Sequence, residues 1–273
     1  MNSQRDSGKA YASSEFILYA HRGSTVLAPE NTLPAFEIAL GYGADIMEID
    51  VRLSRDGEII VIHDEYVDRT CDAQGRVIDM PLTRLKQLDA GYHFIDLEGR
   101  SYRKTGTRLL TLSEMFELLP HTPINIDIKD NSEQAAMAVA KVIENSDRVN
   151  SVNVGSFHSS ALAHFRKRLP EVTTAATQSE VAQLYFKRGL YKKIGFEFLQ
   201  IPMHYMGIPL ATRSFVQHAS HRGIKTVYWT VNDEKNMQQL INLNVTGLVT
   251  DRVDIAGPLL GKTDRNANVS GMT

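Results

Sequence analysis

Short apolar runs alternate along the chain with segments whose apolar residues recur at helical spacing, a pattern that predicts strands and helices in turn. The strand-like runs open near Phe16, Ile46, Glu58, Ile124, Val149, Val172, Phe198, Lys225 and Gly247. A helix is expected from Asn31 or Thr32 to about Tyr42, where Leu33, Phe36, Ala39 and Leu40 share one side and Gly41 and Gly43 supply the stop. Further helices are predicted over Ser113 to Leu119, Ser132 to Asn145, Ser160 to Leu169, Glu180 to Lys193, around Thr212 to His221, and Asp233 to Leu243. The runs at Ile46 and Glu58 flank Arg55-Asp56-Gly57, a turn of the kind that joins adjacent strands, so they count as one bent pair. About eight strands then alternate with helices, which predicts an α/β chain folded as a (β/α)8 TIM barrel.

The rhythm fails over residues 65–108, where glycines and a proline leave room for one short helix, Thr83 to Leu88. A long irregular excursion inside a compact domain is usually functional. The expected organisation is a flexible N-terminus (residues 1–14), a barrel (residues 15–260) carrying an insertion over about residues 65–108, and a flexible tail (residues 261–273). A length of 273 residues with 42% hydrophobic and 23% charged positions suits one such domain. A formal net charge of −2 gives no reason to expect nucleic acid as a partner. The single cysteine, Cys71, excludes an internal disulfide. The polar N-terminal stretch and the lack of any run of about 18 apolar residues make the cytoplasm the expected location. Lys187, Arg188, Lys192 and Lys193 alternate with Tyr185, Phe186, Tyr191, Ile194 and Phe196, and are read as a solvated helix side over a buried stripe rather than a membrane-binding face. Oligomeric state stays open at this level.

Chemistry concentrates between Tyr19 and Asp64. Residues two apart on a strand point to the same face, so Glu48 and Asp50 converge on one spot. Two carboxylates so placed require a proton or a cation between them, and their hard oxygens suit Mg²⁺, Ca²⁺ or Mn²⁺. Asp127 and Lys129 share a strand face in the same way, adding a third carboxylate and a cation. His21 and His63 each close an apolar run, where an imidazole titrating near neutrality can carry protons. Arg22 offers a planar fork for a phosphoryl oxygen, and Glu30 sits in the turn Pro29-Glu30-Asn31-Thr32.

His21-Arg22-Gly23, Pro29-Glu30-Asn31-Thr32, Glu48-Ile49-Asp50, Asp56-Gly57 and His63-Asp64, in this order and at this spacing, resemble the signature of the glycerophosphodiester phosphodiesterase family. The likeness continues through Asp68-Arg69-Thr70, Leu85 to Asp89, Asp127-Ile128-Lys129, Trp229-Thr230-Val231-Asn232 and Thr250-Asp251, covering about residues 16–258. It implies release of sn-glycerol 3-phosphate and an alcohol from a small glycerophosphodiester. It also implies one divalent cation on Glu48, Asp50 and Asp127, with Glu30 completing or buttressing that site. Arg22, Lys129 and Trp229 would bind substrate, His21 would accept a proton and His63 would donate one. The family usually has Glu where this chain has Asp127, which shortens that arm by one methylene, and Val245-Thr246-Gly247 replaces its Val-Asp-Gly. The insertion is expected over the barrel mouth, shaping the leaving-group side. Two alternatives remain: a lysophospholipase D, which requires an apolar channel beside the site where the first reading requires a small polar pocket, and a non-catalytic barrel binding phosphorylated ligands.

Overall fold

The computed structural model describes residues 16–186 and 195–262. The chain runs β1 (Ile17–His21), α1 (Leu33–Gly41), β2 (Ile46–Leu53), β3 (Ile59–Val61), α2 (Leu82–Leu85), β4 (Leu110–Thr111), α3 (Leu112–Leu118), β5 (Ile124–Ile128), α4 (Glu133–Asn145), β6 (Val152–Gly155) and α5 (Ser159–Arg168). It continues through β7 (Thr173–Thr174), α6 (Gln178–Phe186), β8 (Phe198–Ile201), β9 (His204–Tyr205), β10 (Ile208–Pro209), α7 (Arg213–Ser220), β11 (Lys225–Tyr228), α8 (Glu234–Asn242), β12 (Gly247–Thr250) and α9 (Val253–Leu259).

Eight parallel strands lie side by side in the order β7, β6, β5, β2, β1, β12, β11, β8. A parallel bridge between Ala175 and Phe198 brings the two ends together, so the sheet closes as the predicted barrel. β3 is not a stave: it turns back antiparallel on the end of β2 and pairs in turn with β4, which is why nine strand-like runs yield eight staves.

Alternation along each strand sorts the side chains. On β2, Met47, Ile49, Val51 and Leu53 face the helix layer and join the main core with Phe36 of α1. Ile46 faces the barrel axis with Ile17, Tyr19, Phe198, Val227 and Val249. Moving toward the strand C-termini on that inner face, these apolar residues give way to His21, Glu48, Asp50, Asn125 and Asp127. In register, His21 lies opposite Glu48, Glu48 opposite Asn125, and Asp50 opposite Asp127. Two glycines make the close approaches possible: a Cβ on Gly247 would lie 2.3 Å from the Ile17 carbonyl oxygen, and one on Gly23, at φ +88°, would lie 2.6 Å from Ala35 Cβ.

The predicted boundaries shift by a few residues where caps decide. Thr111 and Glu114 form a capping box that starts α3 at Leu112. Thr32 precedes α1 but spends its hydroxyl on the Pro29 carbonyl. The β6 strand begins at Val152 instead of Val149, because residues 148–151 close a turn through the Ser151 amide and the Arg148 carbonyl. The β9–β10 hairpin has no counterpart among the sequence expectations; it turns at Met206 and Gly207, both at positive φ. Residues 65–108 fold around a small core of their own, in which Val67, Cys71, Val77, Leu85 and Leu88 pack with Ile60 and Ile62. The expected flexible N-terminus, the tail from residue 263 and the 187–193 part of the expected helix lie outside the described residues. Among the described residues no helix is long and apolar enough to cross a membrane.

Candidate active site

One cavity of about 550 Å³ opens at the C-terminal ends of the strands, and His21, Arg22, Glu48, Asp50, His63, Asp127 and Lys129 all line it. Every one of the predicted chemical residues except Glu30 therefore faces a common space, which Trp229 also lines.

The carboxylates meet fixed cations unevenly. Lys129 Nζ stands between Asp50 Oδ1 at 2.8 Å and Asp127 Oδ2 at 2.6 Å. Arg22 Nε lies 2.8 Å from Asp50 Oδ2, an ion pair too bent to be a hydrogen bond. Asn31 Nδ2 donates to the same oxygen at 3.2 Å. Burial works against the Asp50 charge, but Lys129 and Arg22 outweigh it and hold its pKa below the ordinary range. Glu48 has weaker help, from His21 and from Lys129 beyond ion-pair distance. It accepts from the Arg22 backbone amide at 3.2 Å and lies 3.9 Å from His21 Nε2, and among the described residues no lysine or arginine comes within ion-pair distance. Burial, with the Asp50 charge beside it, pushes Glu48 up to about 7, and burial raises Asp127 as well.

Three hard carboxylates thus share a buried cup with two fixed cations, and the shortfall of positive charge falls on Glu48. That donor set fits a divalent cation of the oxygen-seeking kind. Among the described residues no three such groups already converge as a ready cage. Lys129 holds the space between Asp50 and Asp127, so a cation entering there displaces or shares with its ammonium.

Each histidine has its own aspartate. His21 Nδ1 lies 2.6 Å from Asp251 Oδ1, and Asp251 also accepts from Thr25 Oγ1 at 2.7 Å and Asn232 Nδ2 at 2.7 Å. Burial would raise Asp251, but these donors outweigh it and hold the carboxyl at about 2. An ionised carboxylate only accepts, so Nδ1 carries the proton and Nε2 faces Glu48 and the cup. His63 Nδ1 lies 2.6 Å from Asp64 Oδ1, and its carbonyl is fixed by Arg52 Nε at 2.7 Å. For His21, burial lowers the pKa but Asp251 and Glu48 more than reverse it, whereas for His63 burial prevails and the pKa falls. These directions run opposite to the roles the resemblance implies. Part of the difference comes from Glu48, the carboxylate a divalent cation would neutralise.

Glu30 sits outside the cup. Its carboxylate takes Arg22 NH1 at 3.0 Å and both terminal nitrogens of Arg69 at 2.7 Å, so it buttresses the arginine and is not turned toward the other carboxylates. No residue of 65–108 lines the cavity, and the insertion reaches the site's supporting carboxylates through Arg69, which holds Asp64 and Glu30. Asp251, Asn232, Asp64 and Arg69 received no role from the sequence, although all four lie in or beside the motifs that carry the resemblance. The partners of Asp251, Asn232 and Arg69 are 230, 19 and 39 positions away along the chain, separations that only the fold brings together, whereas Asp64 directly follows the His63 it holds.

Much of the remaining cavity lining is apolar, and it begins beside the charged cup, where Lys129 Nζ lies 5.6 Å from the centre of the Phe157 ring. Phe157, Val181, Tyr185, Ile208, Leu210 and Trp229 belong to it, and the Phe157 and Trp229 rings meet edge to face at 5.7 Å. A small polar pocket was the expectation of the first reading; the cavity has instead a charged cup with an apolar wall beside it.

Comparison with known proteins gives a consistent picture. The model of the "Glycerophosphoryl diester phosphodiesterase family" matches residues 21–255. The chain is 33% identical over 245 residues to a glycerophosphodiester phosphodiesterase of Caldanaerobacter subterraneus subsp. tengcongensis, covering 86% of this chain and 93% of that one. It is 26% identical over 262 residues to the human lysophospholipase D GDPD1, covering 85% and 82% respectively. Among solved structures, a phosphodiesterase of Oleispira antarctica in complex with the product sn-glycerol-3-phosphate superposes with a TM-score of 0.73 at 26% identity, covering 90% of this chain and 97% of that one.

Proposed function

Given that the chain belongs to the glycerophosphoryl diester phosphodiesterase family, we propose that its charged cup performs a metal-assisted, histidine-driven hydrolysis that releases sn-glycerol 3-phosphate and an alcohol. The protein is a phosphoric diester hydrolase whose substrates are small glycerophosphodiesters. The observation that carries the mechanism is the meeting of three carboxylates, two imidazoles, a guanidinium and an ammonium in one cavity.

Arg22 and Lys129 bind the phosphate oxygens, the first by its planar fork and the second as a point charge. Glu48, Asp50 and Asp127 would hold one divalent cation, Mg²⁺, Ca²⁺ or Mn²⁺, which when bound supplies positive charge against the phosphate. His21 Nε2, backed by Asp251, takes a proton from the attacking water as its oxygen bonds to phosphorus. His63 Nε2 gives a proton to the alcohol oxygen as its bond to phosphorus breaks, because an alkoxide leaves poorly without one. Position supports this division: the His63 side chain is 33% exposed and that of His21 19%, so His63 stands nearer the mouth through which the alcohol departs.

A second reading, cleavage of lysophospholipids, gains support from the apolar wall, which suits an acyl chain better than water does. Turnover of glycerophosphocholine, glycerophosphoethanolamine and lysophosphatidylcholine with Mg²⁺, Ca²⁺, Mn²⁺ or chelator separates the possibilities. Activity that needs the cation and falls on the glycerophosphodiesters supports the first reading, and preference for the lysophospholipid supports the second. Undiminished turnover in chelator contradicts the metal assignment.

A further inference from the structure

The insertion sends one side chain to the catalytic face. Arg69 closes a short 3-10 turn, Val67–Arg69, whose Val67 is fully buried in the insertion core and accepts the Thr70 and Cys71 amides, so the arm starts from a fixed base. Its guanidinium then uses all three nitrogens. Nε donates to Asp64 Oδ2 at 2.5 Å, while NH1 and NH2 grip Glu30 Oε2 and Oε1 at 2.7 Å each. Glu30 is anchored in turn by Arg22 NH1. The other oxygen of Asp64 holds His63 Nδ1. Burial would raise Asp64, but Arg69 and His63 outweigh it and keep the carboxyl at about 2, permanently charged at working pH.

We propose that Arg69 is a positioning residue for the reaction: it spans from Glu30 to Asp64 and thereby fixes the His63 ring so that Nε2 meets the leaving oxygen. An exposed ion pair contributes little to stability as a rule, and the Arg69 side chain is 49% exposed. What distinguishes this one is the fork, which fastens two separate segments of chain with defined angles. Lysine has one nitrogen and cannot hold both carboxylates in that geometry.

The proposal rests on His63 as proton donor, and the test keeps the two apart. Full-length wild type, Arg69→Ala, Arg69→Lys and His63→Ala are compared on two diesters that share the glycerol phosphate half. One releases choline, a poor leaving group, and the other releases p-nitrophenol, which departs without a proton. A positioned general acid contributes about 10²- to 10⁴-fold, so Arg69→Ala is expected to lower kcat on the choline ester by about 10- to 100-fold and on the aryl ester by no more than about threefold. Arg69→Lys should resemble Arg69→Ala, guanidinium ion in solution should restore part of the Arg69→Ala loss on the choline ester only, and the melting temperature should stay near wild type. His63→Ala should show the same imbalance, enlarged. Even losses on both esters for Arg69→Ala, or none, beside an imbalance for His63→Ala overturn the proposal and leave the histidine's role standing. Even losses for His63→Ala overturn that role and Arg69's with it.

Discussion

Replacing Asp251 by Asn tests the pairing behind His21 with little change of shape. Asp251 receives His21 Nδ1 at 2.6 Å, Thr25 Oγ1 at 2.7 Å and Asn232 Nδ2 at 2.7 Å, and is held at about 2 against an ordinary 3.8. At about 1.4 kcal/mol per unit, the folded state favours the ionised carboxylate by about 2 kcal/mol. A depressed carboxyl contributes its stability above the unfolded pKa and loses it as pH falls through the folded one. The Asp251→Asn variant should therefore melt below wild type at pH 7, with the gap closing between about pH 4 and about pH 2. The catalytic consequence is larger. An amide can donate to Nδ1 and so place the ring proton on Nε2, where His21 can no longer accept, and kcat should drop about 10²- to 10⁴-fold. Since Asp251 and Glu48 raise the His21 pKa against burial, removing one of them lets burial regain ground. The acid limb of kcat/KM against pH, which marks the base becoming neutral, should then move to lower pH while the plateau falls. The assay is steady-state hydrolysis of glycerophosphocholine across pH. A rate within about threefold of wild type, with the acid limb in place, refutes the coupling.

Two further substitutions probe the frame and the apolar wall. Gly23→Ala forces a Cβ to 2.6 Å from Ala35 Cβ at a φ of +88°, so thermal unfolding should show a loss of more than about 2 kcal/mol. Trp229→Ala removes half of the Phe157–Trp229 pair on the cavity wall. It should raise KM for lysophosphatidylcholine by about 10-fold or more, the equivalent of about 1.5 kcal/mol of lost apolar burial, with a smaller rise for glycerophosphoethanolamine.

Much of this architecture was legible in the chain itself, for identifiable reasons. The barrel follows from alternation, because parallel staves covered by helices must be apolar outside and can turn polar only on the inner face near their ends. Glu48 with Asp50 and Asp127 with Lys129 followed from the period of two, and the fold confirms that each pair shares a face. What period and propensity do not carry is partnership at long range. Asp251 meets His21 across 230 positions, and Arg69 meets Glu30 across 39. Glu30 shows the limit: from sequence it could complete the cup or buttress it, and only the fold shows two arginines claiming it as a buttress. The β9–β10 hairpin escaped notice because its strands are two residues each, too short for alternation to register, although Met206-Gly207 at positive φ closes it. The insertion's reach into the site was hidden for a related reason. Its apolar residues pack on one another and leave only Arg69 to reach the site.

The buried acids of β2 and β5 are short of positive charge, and a divalent cation would supply it. Calorimetric titration of Mg²⁺ and Ca²⁺ into wild type and Glu48→Gln tests this without any turnover. Saturable one-to-one binding to wild type is expected, accompanied near pH 7 by proton release from Glu48, whose pKa is raised to about 7, with loss of that binding in the variant. Equal binding to both proteins, or none to wild type, would contradict the cation's place among these acids.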